Sequence, residues 1–191
     1  MEKSLEQEEN NLIKIVLFGP ESTGKTTLSR QLAEYYNTIF VPEYLREFAQ
    51  KKWDNESLTC EEKDVIPIAK GQINLENKSA KKANKILICD TDLLETKVYA
   101  NVYFEGFNNE DLNNAIRKNS YDLYLLTYID TPWEADDLRD KPEQREEMFR
   151  IFENSLIEHH CSHVLLKGNK EVRLKKAIEI IDALLLKKNI I

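Results

Sequence analysis

Short apolar runs alternate along this chain with longer segments of helical periodicity. The apolar runs have the length of buried strands and predict strands at 13–18, 38–41, 86–89, 123–128 and 163–166. The segments between them predict helices at 25–36, within 43–53, at 60–83, 93–104 and 109–118, from 134–136 into 142–159, and at 170–187. Such alternation is typical of a parallel sheet covered by helices. We therefore predict a three-layer α/β fold with a parallel five-stranded sheet.

The residues that follow the first strand have the spacing of a phosphate-binding loop. Gly19, Gly24, Lys25 and Thr26 fit the pattern G-x-x-x-x-G-K-[ST] within "GPESTGKTT". Glycines let the backbone N–H groups turn inward around a phosphate chain, and the helix that follows points its positive dipole end at the anion. The pattern predicts a P-loop for nucleotide phosphates. Its binding residues are Gly19, Glu21, Ser22, Thr23, Gly24, Lys25, Thr26 and Thr27.

Acidic residues follow the third strand, where functional groups of an open α/β sheet collect. Asp90 can orient a magnesium ion together with the Thr26 hydroxyl, because magnesium prefers oxygen ligands. We predict Thr26 and Asp90 as metal residues and Asp92 as a substrate residue, although the two acids can exchange these roles. In the alternative interpretation, Asp92 and Glu95 form a capping box.

The second strand ends in "VPEYLREF", which places Glu43, Tyr44 and Arg46 near the same edge. A carboxylate at Glu43 can accept the proton of an attacking hydroxyl, and Tyr44 can stack on a flat ring. The alternative is that Pro42 and Glu43 simply begin a helix.

The fourth strand is followed by "TPWEADDLRDKPEQRE", a polar segment that we interpret as a lid over about residues 131–147. Arg139 and Arg145 would lie on the transferring phosphates, and Trp133 on the substrate side. Alternatively, the arginines form ordinary surface ion pairs.

Composition limits the other classes of function. The chain has 191 residues and a formal net charge of −7, and it lacks the basic stripe that nucleic-acid binding by phosphate neutralisation requires. We expect one P-loop domain at 12–191 after a disordered acidic tail at 1–11. The apolar runs are too short to cross a membrane, and the acidic start does not resemble a signal peptide, so a cytoplasmic protein is expected. Three scattered cysteines and the segment "EHHCSH" do not indicate a disulfide framework or a zinc site.

Four segments together resemble the ribosylnicotinamide kinase domain of the bacterial NadR family. They are "GPESTGKTTL", "VPEYLREF", "ICDTD" and "TPWEADDLRD", and the similarity covers roughly residues 13–187. "VPE" is also similar to the deoxynucleoside kinases, in which the glutamate is the catalytic base. The resemblance implies a nucleoside-kinase-like P-loop fold and ATP-dependent, magnesium-assisted phosphorylation of a nucleoside 5′-hydroxyl, with nicotinamide riboside as the expected substrate.

The resemblance also assigns residues and sets limits. Lys25, Glu43, Asp90, Arg139 and Arg145 become the expected catalytic residues. Gly168 and Asn169 stand where such kinases cradle adenine. Long family members carry a helix-turn-helix segment and a nucleotidyltransferase domain ahead of the kinase, and this chain has too few residues before its first strand and no "HxGH". We therefore expect neither DNA binding nor adenylyl transfer. A kinase of another nucleoside and a nucleotide-dependent regulatory ATPase remain open alternatives, as does the oligomeric state.

Overall fold

The computed structural model describes residues 5–134 and 142–190. Five parallel strands form one sheet in the spatial order β2-β3-β1-β4-β5. The strands are β1 (Ile13–Phe18), β2 (Ile39–Val41), β3 (Ile86–Asp90), β4 (Leu123–Thr127) and β5 (His163–Leu166). Because β1 is central and the order reverses beside it, the loop after β1 lies at the switch point of the sheet, where open α/β sheets bind ligands.

Seven helices connect and cover the strands in the described part of the chain. They are α1 (Lys25–Tyr35), α2 (Tyr44–Glu56), α3 (Val65–Ala80), α4 (Leu93–Tyr103), α5 (Glu110–Lys118), α6 (Arg145–Glu158) and α7 (Lys170–Lys187). Two 3-10 turns, Glu62–Asp64 and Pro142–Gln144, precede α3 and α6. No helix among the described residues is both long and apolar enough to cross a membrane.

Both faces of the sheet are buried. On one face, Ile15 and Leu17 pack in a cluster with Leu32 of α1 and Ile181 of α7. On the other face, Val16 and Phe18 pack in a second cluster that includes Phe152 of α6, Leu94 and Val98. Successive residues of a strand point to opposite faces, so an uninterrupted apolar strand requires helices on both sides. The predicted three-layer fold with a parallel five-stranded sheet is confirmed.

The predicted helix at 60–83 is divided in the structure. Glu61 and Asp64 form a reciprocal capping box around the 3-10 turn, and α3 begins only at Val65. Lys52 of α2 contacts both acids, with its Nζ 3.0 Å from Glu61 Oε2 and 2.5 Å from Asp64 Oδ2. The caps satisfy the first N–H groups locally and so fix the start of the helix, which periodicity alone does not locate.

Within the predicted disordered tail at 1–11, the structure attaches residues 5–8 to the domain. Leu5 is only 7% exposed and packs with Val65, Ile73 and Leu112, which belong to α3 and α5. The Gln7 amide group donates to Glu76 Oε1 at 2.6 Å. Acidic composition favoured disorder, but one buried leucine and specific hydrogen bonds attach the segment to the domain. Residues 1–4 lie outside the described residues.

We expect Leu5→Ala to lower the free energy of unfolding by about 2 kcal/mol, because it removes a buried leucine from a packed cluster. Leu186→Ala is the matched control, since Leu186 is 61% exposed and should change stability little. Chemical denaturation of both variants measures the difference. Equal stabilities would show that the N-terminal segment does not contribute to the core.

Candidate active site

The loop between β1 and α1 requires glycine at two positions. Gly19 has φ +141°, and a Cβ there would lie 2.6 Å from Thr127 Oγ1 and 2.9 Å from the Thr127 carbonyl oxygen. Gly24 has φ +85° and is the N-cap of α1. Side chains are disfavoured at both conformations. The loop therefore contacts the end of β4 at Gly19, while the space beside Gly24 at the N-terminus of α1 contains no other described residue.

The loop is fixed from behind by residues of β4 and α7. Thr23 Oγ1 lies 2.7 Å from Thr127 Oγ1. The buried Arg173 guanidinium donates to the Thr23 carbonyl oxygen at 2.6 Å and to the Tyr128 carbonyl oxygen at 2.7 Å. Arg173 also pairs with Asp130, whose Oδ2 accepts from Gly168 N at 2.7 Å. One arginine thus links the P-loop, the end of β4 and the turn before α7.

The Lys25 side chain is folded into its own loop. Its Nζ donates to the Gly19 carbonyl oxygen at 2.5 Å and to the Pro20 carbonyl oxygen at 3.2 Å, and it lies 3.1 Å from Glu95 Oε1. Lys25 and Glu95 are both buried. The ammonium group therefore sits among acceptors of the protein on the inner side of the loop.

Three carboxylates surround this one lysine. Burial acts to lower the pKa of Lys25, but Glu95, Glu43 and Asp90 outweigh it and the net shift is upward. Burial raises the pKa of Glu95, and Glu43 and Asp90 add to this shift, while Lys25 at 3.1 Å acts in the opposite direction and favours the charged carboxylate. Lys25 therefore stays protonated, in a site where the carboxyl groups outnumber it.

Asp90 provides a test of whether the site suits a magnesium ion. Both of its carboxylate oxygens are buried and have no hydrogen-bond partner among the described residues. Burial and Glu43 raise the pKa of Asp90 to about 6, while Lys25 and the neighbouring Thr26 hydroxyl lower it. A buried, unpartnered carboxylate beside a hydroxyl fits an ion that binds few protein oxygens and keeps its waters.

A cavity of about 1090 Å³ extends from the P-loop to an apolar wall. Glu21, Ser22 and Thr23 line its polar part, as do residues 24–27, Gly168 and Asn169. Glu43 and Arg46 of the predicted substrate set also line it. The apolar wall consists of Trp53, Leu58, Tyr99, Tyr103 and Phe104. The space is large enough for two small ligands side by side.

Tyr44, Asp92 and Trp133 of the predicted substrate set do not line this cavity. The Tyr44 ring packs directly over Gly71, where a Cβ would lie 2.0 Å from Tyr44 Cε1, so it joins α2 to α3 instead of offering a stacking surface. Asp92 is the N-cap of α4: its Oδ1 accepts from Glu95 N at 3.0 Å and its Oδ2 from the Tyr124 hydroxyl at 2.7 Å. Both oxygens are used inside the protein. In this structure Asp92 caps α4, as the alternative interpretation expects.

The predicted lid residues are only partly described. Arg139 lies outside the described residues. Arg145 donates to the Thr131 carbonyl oxygen at 2.8 Å and to the Ser22 carbonyl oxygen at 3.3 Å, and its guanidinium lies 5.7 Å from the centre of the Trp133 ring. Trp133 thus supports Arg145, and Arg145 ties the start of the predicted lid to the P-loop.

Sequence reasoning missed three parts of this site. Glu95 was considered only as a capping partner, and its carboxylate instead pairs with Lys25. Tyr99 and Tyr103 of the apolar wall stand four residues apart on α4, a spacing that places them on one helix face and could have indicated the wall. Arg173 had no signal in the sequence, because its partners are two backbone carbonyl oxygens and the Asp130 carboxylate, all from distant segments.

The sequence of this chain is similar to sequences of known P-loop proteins. The sequence profile of a family described as an AAA domain matches residues 14–173. The chain belongs to this family. It is also 31% identical over 144 residues to the trifunctional NAD biosynthesis/regulator proteins NadR of Salmonella typhimurium and Escherichia coli, which confirms the resemblance to the NadR family. The match covers 75% of this chain and 34% of each NadR protein, so the chain spans about a third of the length of the curated relatives it matches.

Solved structures give the same fold. A NadR protein in complex with NR superposes with a TM-score of 0.76 at 26% identity, over 90% of this chain and 51% of that one. A deoxyadenosine kinase from M. mycoides with bound dATP superposes with a TM-score of 0.60 at 16% identity, over 89% of this chain and 99% of that one. At this identity the second comparison establishes the fold alone, and the two together show a nucleoside-kinase-like P-loop architecture.

We expect Gly19→Ala to abolish nucleotide binding and to lower the free energy of unfolding by about 3 kcal/mol, because the new Cβ meets Thr127 at a strained φ. Gly106→Ala is the control: Gly106 has φ +77° and open space around it, so only backbone strain of about 1 kcal/mol applies. Calorimetric titration with an ATP analogue and thermal unfolding measure both effects. Similar losses in the two variants would contradict the close contact at Gly19.

Proposed function

We propose that this chain is an ATP-dependent kinase that phosphorylates the 5′-hydroxyl of nicotinamide riboside to give nicotinamide mononucleotide. The observation that carries the proposal is the single cavity that joins the P-loop, Glu43 and an aromatic wall. It offers a phosphate site, a candidate base and a surface for a flat ring in one space. The similar NadR chain in complex with NR, which we take to be nicotinamide riboside, supports this choice of acceptor.

The P-loop is the proposed phosphate site. Its backbone N–H groups and the N-terminus of α1 surround the anion, and Lys25 moves from the carbonyl oxygens of Gly19 and Pro20 to the β- and γ-phosphates. Gly168 and Asn169 line the same cavity at the other end of the nucleotide and form the proposed adenine side. Asn169 uses its side chain to cap α7, so its backbone is the part left for the adenine.

Thr26 and Asp90 are the residues that would hold a magnesium ion with the phosphates. When bound, the ion would supply positive charge that offsets the charge of the phosphate oxygens. Asp90 suits this role because its oxygens are buried without partners among the described residues. Lys25 and the ion site together place positive charge on both sides of the transferring group.

Glu43 is the proposed general base. It lies at the N-terminus of α2, faces the cavity, and is close enough to Lys25 and Asp90 to influence the pKa of each. In the proposed step, the acceptor hydroxyl oxygen bonds to the γ-phosphorus, its proton passes to Glu43, and the bond from that phosphorus to the bridging oxygen of ADP breaks. Arg139 and Arg145 are proposed to neutralise the transferring group, and for this Arg145 exchanges its backbone acceptors for phosphate oxygens.

The acceptor pocket favours a cationic ring. The nicotinamide ring of the riboside carries a positive charge, which aromatic faces and carboxylates attract. Tyr99, Tyr103 and Trp53 supply the faces, and Glu43 supplies charge at the edge of the same cavity. Arg46 lines the cavity as well, and its Nε lies 3.9 Å from Glu43 Oε2. We propose that Arg46 keeps this carboxylate oriented.

We expect Glu43→Gln to lower kcat by about 10²- to 10⁴-fold while ATP affinity changes little, because a positioned base contributes a factor of that size. Glu47→Gln is the matched control, since Glu47 lies one helical turn further along α2 and pairs at the surface with Lys51. A coupled assay of ADP formation measures both variants. Normal turnover of Glu43→Gln would remove Glu43 from the role of base.

We further expect nicotinamide riboside to exceed adenosine, cytidine and thymidine in kcat/KM, because these neutral nucleosides lack the charge that the pocket recognises. The same coupled assay across the four acceptors gives the ranking. If a neutral nucleoside ranks first, the chain is a kinase of another substrate. If ATP hydrolysis is slow and no acceptor accelerates it, the chain acts as a regulatory ATPase.

A further inference from the structure

The carboxylate of Glu95 is buried beside the P-loop. Among the described residues, its side chain contacts Lys25 and the backbone N–H of Gly19, which both belong to that loop. Glu95 is 1% exposed and sits in the first turn of α4. Its Oε1 lies 3.1 Å from Lys25 Nζ, and its Oε2 accepts a long hydrogen bond of 3.4 Å from Gly19 N. A buried carboxylate is costly unless a charge or donors compensate for it. The buried charge of Glu95 is therefore stabilised mainly by Lys25.

The Lys25 ammonium is in turn held by Glu95 and by two carbonyl oxygens of the loop. Lys25 Nζ donates to the Gly19 carbonyl oxygen at 2.5 Å and to the Pro20 carbonyl oxygen at 3.2 Å, and it forms an ion pair with Glu95 Oε1 at 3.1 Å. These three contacts hold the ammonium on the inner side of the loop. Since the proposed function requires Lys25 to donate to phosphate oxygens, at least one of these contacts must break when a nucleotide binds.

The ion pair with Glu95 is the contact that opposes this movement most strongly. The two carbonyl oxygens are neutral, whereas Glu95 attracts the ammonium as an opposite charge, and burial reduces the screening of that attraction by water. Glu95 also adds negative charge to a site that already contains Glu43 and Asp90, and a nucleotide brings more. The position of Glu95 therefore makes it a competitor of the nucleotide for the same lysine.

We propose that Glu95 is a positioning residue that holds the Lys25 ammonium inside the P-loop in the absence of nucleotide and limits the affinity for ATP by competing for it. The inference rests on the proposed function, because it takes the P-loop to bind the phosphates of ATP. It differs from a purely structural role in the sign of its effect. A residue that only supported the loop would weaken nucleotide binding when changed, whereas a competitor strengthens it.

The test is the dissociation constant of a non-hydrolysable ATP analogue with magnesium, measured by calorimetry on the full chain without acceptor. Glu95→Gln keeps the shape and the acceptor for Gly19 N but removes the charge, and it should tighten binding by roughly 5- to 10-fold. In the coupled assay the change should appear as a lower KM for ATP. Glu95→Asp keeps the charge but withdraws it from Lys25, and it should tighten binding by a smaller factor.

Glu76→Gln is the control for burial of a glutamate. Glu76 is also 1% exposed, but it accepts from Gln7 and from the Tyr121 hydroxyl on the side of α3 that contacts the N-terminal segment. Its substitution should leave the dissociation constant of the analogue unchanged. Thermal unfolding of each variant establishes that it is folded, and Glu95→Asp is the second variant if Glu95→Gln does not fold.

The outcomes separate the two proposals. Failure of the unmodified chain to bind the analogue would contradict the proposed function itself. Binding by the unmodified chain with equal or weaker binding by folded Glu95 variants would overturn the competition between Glu95 and the nucleotide, and would leave the kinase proposal standing.

Discussion

The site depends on one positive charge placed among several negative ones. Lys25 lies beside Glu95, and Glu43 and Asp90 contribute to the same local potential. Buried carboxylates need a compensating charge, and in the described structure this lysine is the cation paired with Glu95. The arrangement is therefore poised to accept further cations and to rearrange when phosphates compete for the lysine. These properties suit a phosphoryl-transfer site.

The rest of the fold keeps that charge in place. The central strand β1 is buried on both faces and delivers the loop to the switch point of the sheet. Arg173 then fixes the back of the loop to β4 and, through Asp130, to the turn at Gly168. These contacts connect the proposed phosphate and adenine sides to the strand β4 and the helix α7. Sites built on such elements hold their geometry more precisely than sites on free loops.

The sequence predicted the features that depend on local pattern. Buried parallel strands read as uninterrupted apolar runs, and the P-loop has a fixed spacing, so both were located within a residue or two. The direction of individual side chains depends on packing between distant elements, which the linear pattern does not contain. Tyr44 turns toward Gly71, and Asp92 turns toward Tyr124, because α3 and β4 pass close to them. The packing of Leu5 against α3 and α5 depends on the same kind of distant contact.

The pairing of Lys25 with Glu95 was not predictable for a related reason. Glu95 has the spacing of a capping residue, and nothing in the linear sequence states that its carboxylate reaches the loop after β1. The parallel pairing of β1 with β3 brings the start of α4 beside the P-loop and creates the contact. Helical spacing did contain the signal for the aromatic wall, because Tyr99 and Tyr103 share one face of α4.

The decisive measurement is a crystal structure of the chain with magnesium and a non-hydrolysable ATP analogue, because it shows where the Lys25 ammonium lies when a nucleotide is bound. We predict Lys25 Nζ within hydrogen-bonding distance of the β- and γ-phosphate oxygens and moved away from Glu95 by more than about 1 Å. A complex in which Lys25 keeps its 3.1 Å contact with Glu95 while the phosphates bind elsewhere would contradict it.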